Sequence, residues 1–230
     1  MHKEKSKKYR KDIGFTSKSK CFDFISAKDI LLINWALVDL YNERLIDIGN
    51  RVQNQLVIEN NLDVRGFVLD SFQILRTNKI IEECFTNHGR ANEDVYYSWM
   101  LGYLAETIFT PLIQHELKMD SVVRIGGDDL SNPETFKRVS VADLVDPVTK
   151  TSVDVQCGGG EGKVTIKKSK VDYAVNSGYT GYAVTIGLGN GLYAAINLND
   201  LEHVEFIPNP SWENALCWTA PNNIFKSWSK

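Results

Sequence analysis

The most constraining feature of this 230-residue chain is a change of hydrophobic period near Met119. Ahead of that point apolar residues recur every three or four positions, which gives a helix one face for a core. Ile30, Leu31, Ile33, Leu37, Val38 and Tyr41 share such a stripe. Val64–Ile74 and Ile80–Phe85 read as short helices, and Asn87 to Arg90 as a turn. A longer helix is predicted from Asn92 or Glu93 to Leu117, its acidic first turn favourable against the helix dipole. Pro111 lacks an N–H and is predicted to kink or break it.

Beyond Met119 apolar and polar residues alternate, as strands require. The pattern predicts strands at Val122–Ile125, Phe136–Val145 and Thr151–Cys157, with a turn at Asp146–Lys150 where Pro147 presets the backbone. A helix is predicted at Ile166–Asn176, ended by Ser177-Gly178. Strands at Tyr182–Leu188 and Leu192–Leu198 flank Gly189-Asn190-Gly191, a hairpin signal. The order predicts an α/β fold, a mixed sheet with helices on its faces. Residues 21–90 form its helical N-terminal region, and residues 91–230 form the core with an aromatic C-terminal tail.

Charge is unevenly placed. The whole chain carries a formal −3, yet residues 1–20 hold eight Lys or Arg against Glu4 and Asp12, a net +6, leaving −9 for the rest. A basic, flexible arm ahead of an acidic body is expected, one that either follows phosphates or only aids solubility. With 43% hydrophobic and 24% charged residues, wholesale disorder is excluded. No apolar run reaches a bilayer's thickness, and the basic start lacks the apolar stretch of a secretory signal. The four cysteines are far apart, which suits reduced, buried thiols and no zinc knuckle. The expectation is a cytoplasmic protein without a membrane partner.

The candidate chemistry lies in Val141-Ala-Asp143-Leu-Val-Asp146 and Thr151-Ser-Val-Asp154-Val-Gln156. With the turn centred on Val148-Thr149, Asp146 faces Thr151 and Asp143 faces Asp154. Opposed residues share a sheet face with Cβ atoms roughly 4.5–5.5 Å apart. Gln156 lies on that face too, because side chains alternate. Two opposed carboxylates repel unless something positive lies between them, and oxygen-only ligation favours Mg²⁺. Two solvent-facing aspartates near a turn are the plainer reading, but the apolar neighbours Ala142, Leu144, Val153 and Val155 point to a buried sheet, where unpaired carboxylates are costly.

These residues resemble the PD-(D/E)XK nuclease superfamily, which includes many type II restriction endonucleases. In that family an Asp near one strand is followed, after a hairpin, by Asp or Glu, any residue, then Lys. Val141-Ala-Asp143-Leu matches the first element and Asp154-Val155-Gln156 the second, a D…DxQ variant. Glu106, in Gly102-Tyr-Leu-Ala-Glu106, resembles the core-helix Glu that often joins the site. The likeness covers about Glu93 to Leu198. Gln156 stands where Lys is usual, and Ala142 replaces the proline. Some restriction enzymes of the family carry Gln there; alternatively a lysine from Lys163, Lys167, Lys168 or Lys170 supplies the charge.

The resemblance implies a restriction-endonuclease-like fold and a Mg²⁺-dependent endonuclease cutting double-stranded DNA, in its leading form a restriction enzyme acting as a homodimer. Asp143 and Asp154 would hold the metal, Glu106 and Gln156 would complete the catalytic set, and Lys163, Lys167 and Lys168 would hold the backbone. Alternatives are a repair, junction or phage recombination nuclease of the same fold, and a non-catalytic DNA- or protein-binding module. Gly158 to Lys163 does not match the Walker A spacing, and no HExxH is present.

Overall fold

The computed structural model describes residues 2–25, 33–85, 90–125, 129–136, 141–158, 164–210, 214–220 and 224–230. The chain divides into two compact units, Met1–Trp35 and Ala36–Lys230. The first contains helices α1 (His2–Asp12) and α2 (Lys18–Ile25). Residues expected as a flexible arm are therefore helical, and the boundary drawn at residue 20 falls inside α2. The helical region expected at 21–90 is likewise split, since its later helices belong to the same unit as the sheet.

In the second unit α3 (Trp35–Gln55) buries Val38, Asn42, Leu45, Ile46, Gly49 and Val52, a single stripe at helical spacing. Gly49 lets the helices close up: a Cβ there would lie 2.7 Å from Val64 and 3.0 Å from Leu104. Helix α4 (Val64–Thr77) is capped by Asp63, whose carboxylate accepts the Gly66 amide at 3.0 Å. The short α5 (Ile80–Glu83) leads to α6 (Asn92–Leu117). Tyr96 of α6 is fully buried and donates its hydroxyl to Asn42. Tyr97, Trp99 and Tyr103 make ring contacts within the unit, so the aromatic spacing of α6 is packing.

Pro111 lies inside α6 and does not end it. A proline cannot bond the carbonyl four residues back, here that of Thr107. Asn60 takes over that task, its Nδ2 donating to the carbonyls of Thr107 at 3.4 Å and Ile108 at 2.8 Å. The helix therefore runs on to Leu117, as its spacing predicted, without the break that proline could have made.

A six-stranded mixed sheet follows, in the order β1 (Val123–Arg124), β2 (Leu144–Asp146), β3 (Thr151–Gly158), β5 (Thr180–Gly187), β6 (Leu192–Asn197), β9 (Lys226–Ser227). Only β3 and β5 run parallel, joined through β4 (Thr165–Lys167) and α7 (Lys168–Ser177). Of the strand predicted at Phe136–Val145, residues 137–140 lie outside the described residues; Phe136 ends a 3-10 turn, and among residues 141–145 the strand starts at Leu144. The helix predicted from Ile166 starts at Lys168, because Ile166 and Lys167 pair with Trp218 and Cys217. A second, three-stranded sheet, β4-β8-β7, contains β8 (Ala215–Thr219) and β7 (Ile207–Asn209), segments read beforehand only as tail. Trp228 is buried against Phe109 with ring centroids 5.1 Å apart, and its Nε1 donates to the Gly187 carbonyl at 3.3 Å. Among the described residues no helix is long and apolar enough to cross a membrane.

Losing a buried hydrogen bond while leaving its partner behind costs about 1–3 kcal/mol. Asn60→Leu is expected to destabilise by that order in urea unfolding. In a Pro111→Ala background, where the helix can bond the Thr107 carbonyl itself, the same change should cost measurably less; equal costs in both backgrounds would refute this role for Asn60.

Candidate active site

The β2–β3 hairpin has the predicted register: Asp146 pairs with Thr151, Val145 with Ser152 and Leu144 with Val153. Asp146 anchors the turn. Its fully buried carboxylate accepts amides from Asp120 (2.5 Å), Ser121 (3.2 Å), Val148 (2.8 Å) and Thr149 (3.2 Å). Burial opposes its ionisation, but these hydrogen bonds outweigh it and hold the carboxyl at about 2. Asp146 thus fastens the hairpin to the chain leaving α6.

Asp143 stands one residue beyond the paired ladder. Its amide donates to the Val153 carbonyl at 2.9 Å, and its Oδ2 accepts the Val155 amide at 2.7 Å. The side chain replaces a ladder carbonyl, which holds it against β3. Burial first, and then the charge of Asp154, push the Asp143 carboxyl up to about 6; Val155, Lys170 and Arg124 act in the opposite sense. Asp154 is itself buried, and Gln156 donates Nε2 to its Oδ2 at 3.1 Å, which places both on one face.

The positive charge comes from α7. Lys170 Nζ forms an ion pair with Asp154 Oδ1 and donates to the Val141 carbonyl at 3.1 Å. The local packing explains why it reaches. Ala174, one turn further on the same helix face, lies against Gly181, where a Cβ would come within 3.3 Å of the Ala174 Cα. Gly181 pairs with Ser152 and Ala183 with Asp154. One helical turn and two strand residues both advance about 6–7 Å. With Ala174 over Ser152 and Gly181, Lys170 therefore falls over Asp154.

Glu106 is on α6, and its partner is Arg124 at 3.3 Å. Arg124 Nη2 donates to Thr107 Oγ1 at 3.0 Å and the guanidinium lies 4.6 Å from the Tyr103 ring centre. Arg124 pairs with Leu144 and Leu144 with Val153, so by strand alternation they share the sheet face opposite to Asp154. Glu106 is also felt by Cys157, whose thiol burial and that charge raise to about 12. Its link to the carboxylates runs through Arg124, the charge of which acts on Asp143.

Lys167 ends β4 and is exposed, and Lys168 is paired with Asp172 at 2.5 Å. Lys163 lies outside the described residues. Among the described lysines of this stretch, Lys170 meets the carboxylates; the sequence marked it only as one candidate among several, although a lysine beside the apolar pair Val171 and Ala174 was a signal. Thr185, aligned with Gln156 across β3 and β5, buries a hydroxyl with no partner among the described residues. Nothing in the sequence singled it out.

Among the described residues no three His, Cys, Asp or Glu side chains converge as a metal-holding group. Asp143 and Asp154 nevertheless form a pair of carboxylate oxygen donors, Asp143 with its proton affinity raised by burial and by the Asp154 charge. That fits Mg²⁺, which is commonly held by one or two carboxylates with water and substrate phosphate completing the shell.

Two outcomes follow from this geometry. Asp143 favours its protonated form in the folded state, so ionising it costs stability as pH rises through about 6. Asp143→Asn is therefore expected to unfold at higher denaturant than wild type near neutral pH, by on the order of 1–2 kcal/mol allowing for partial exposure, with the advantage fading towards pH about 4. A pH-independent difference would contradict the assignment. Gly181→Ala should cost about 1–3 kcal/mol by overpacking. Ala174→Gly added to it should recover most of that stability in urea unfolding; no recovery would rule out this contact as the origin.

No protein-family model, curated protein or solved structure matches this chain.

Proposed function

We propose that this chain is a Mg²⁺-dependent DNA endonuclease of the PD-(D/E)XK kind, with the motif lysine moved from the strand to helix α7. The observation that carries this reading is Lys170, paired with Asp154 on the face to which Asp143 is opposed. In the D…DxQ variant the strand position holds Gln156, an amide that can orient water but cannot take its proton. An ammonium from the crossover helix restores the charge which that strand lacks.

Asp143 and Asp154 would hold the metal, which when bound acidifies water and offsets charge developing on the phosphate oxygens. Lys170 would turn from Asp154 Oδ1 towards the scissile phosphate, while its bond to the Val141 carbonyl keeps it near Asp143. Gln156 would position water beside Asp154. Glu106 acts at a distance, by fixing Arg124. A palindromic duplex target would require a homodimer, one site per strand, as in a restriction enzyme.

One observation favours a second reading. Both Asp154 oxygens already have protein partners, Lys170 and Gln156, as a non-catalytic binding module would also arrange. Plasmid cleavage with Mg²⁺ separates the two. The nuclease reading expects nicking or linearisation by wild type and a loss in rate on the order of 10²–10³ for Asp154→Ala and Lys170→Ala, with Gln156→Ala milder. Gln156→Lys introduced into Lys170→Ala should regain activity by returning the ammonium to the strand. An inactive wild type, or unchanged cleavage by Asp154→Ala, would leave the binding module as the function. Discrete fragments would indicate sequence specificity, and a smear a repair or junction activity.

A further inference from the structure

The basic N-terminal segment is a built element and not only a charged tail. In α1, Lys7, Arg10 and Lys11 fall at positions i, i+3 and i+4 and share one face. The helix ends in a Schellman turn: Gly14, at φ +92°, donates to the Lys11 carbonyl at 3.0 Å, and Phe15 donates to that of Arg10 at 2.8 Å. The turn folds the chain back on itself. Ser17 then caps α2, its Oγ accepting the Lys20 amide at 3.1 Å.

This arrangement encloses an open cavity of about 390 Å³ lined by Lys7, Arg10, Lys11, Phe15, Ser17 and Lys18, with Thr16 beside them. Lys8 is neutralised by Asp12 at 2.8 Å. Lys7, Arg10 and Lys11 have no carboxylate partner among the described residues. Four cations around one cavity repel each other unless an anion lies among them.

We propose that the α1–α2 element is a nucleic-acid phosphate clamp that works independently of the carboxylate site. Arg10 offers a planar fork for a phosphate, the lysines add point charges, and Ser17 and Thr16 add hydroxyl donors. Phe15 supplies a ring face against which a sugar or base can pack. An anionic membrane would be met by similar charge, and the element exposes Tyr9, Ile13, Phe22 and Ile25, but none of these lines the cationic cavity, in which Phe15 is the one apolar side chain.

The test uses the full chain in EDTA, so that binding is read without cleavage. Fluorescence anisotropy with a labelled duplex oligonucleotide is recorded over a salt series for wild type, for Lys7→Gln/Arg10→Gln/Lys11→Gln, and for the charge-keeping Lys7→Arg/Lys11→Arg. The triple Gln variant is expected to bind at least about tenfold more weakly and to reduce the slope of log K against log salt by about 2 to 3, while the Arg variant matches wild type. An unchanged slope in the triple variant would overturn the clamp. Equal loss in the Arg variant would overturn it too, since charge would not then be the cause. Selective loss of binding to phosphatidylserine vesicles, with DNA binding intact, would reassign the surface to membranes. Plasmid cleavage with Mg²⁺ by the same chain is read alongside. A chain that fails to cut but shows the α1-dependent slope would retain the clamp and lose the nuclease reading.

Discussion

The site depends on how closely one helix approaches one strand. Gly181 has no side chain, so Ala174 can rest almost on the backbone of β5, and α7 is drawn down onto the sheet. The parallel pairing of β3 with β5 then carries that position across to Ser152 and Asp154. A single turn of helix matches two residues of strand in length, and Lys170 meets Asp154 for that reason. Around the contact, Val164, Ile166, Val171, Ala174, Ala183, Ala194, Leu198 and Leu201 form a buried cluster between α7, the large sheet and the small one. The small sheet contributes β4, which delivers the chain to the start of α7.

The electrostatics follow from that packing. An Asp pair on one buried sheet face would be unstable alone. Here the two acids are treated differently: Asp154 has a direct ammonium partner, whereas Asp143 is held by a backbone amide and keeps a raised proton affinity. Asp146, three residues on, shows the opposite solution, a carboxylate surrounded by amide donors and held acidic. Three aspartates within one hairpin thus have three environments, set by which donors reach them. The last, Asp146, is structural.

Much of the fold was legible from local pattern. The stripes of α4 and α6, the Gly189–Gly191 hairpin and the Asp146–Thr151 register each follow from periodicity or turn chemistry. The stripe expected over Ile30–Tyr41 meets α3 only from Trp35: residues 30–32 lie outside the described residues, and the buried face of α3 runs on to Val52. Pro111 left a kink or a break open because the compensating donor, Asn60, lies some fifty residues away in sequence. Ile166 and Lys167 looked helical because the helix begins directly after them, and their strand state is imposed by Trp218 and Cys217 on β8. The C-terminal strands were not visible: β7 and β8 are short, and pairing across the chain, not propensity, makes them strands.

The sequence by itself determined the class of fold, the opposition of Asp143 and Asp154, the side shared with Gln156, and the contrast between a basic start and an acidic body. All of these depend on spacing along one or two adjacent segments. The tertiary structure alone decided which lysine meets the carboxylates, that Glu106 answers to Arg124 on the other face, and that the N-terminal cations surround a cavity. Those outcomes depend on distances between elements far apart in the chain, and such distances are set by packing contacts like that of Gly181 with Ala174, which no local pattern encodes.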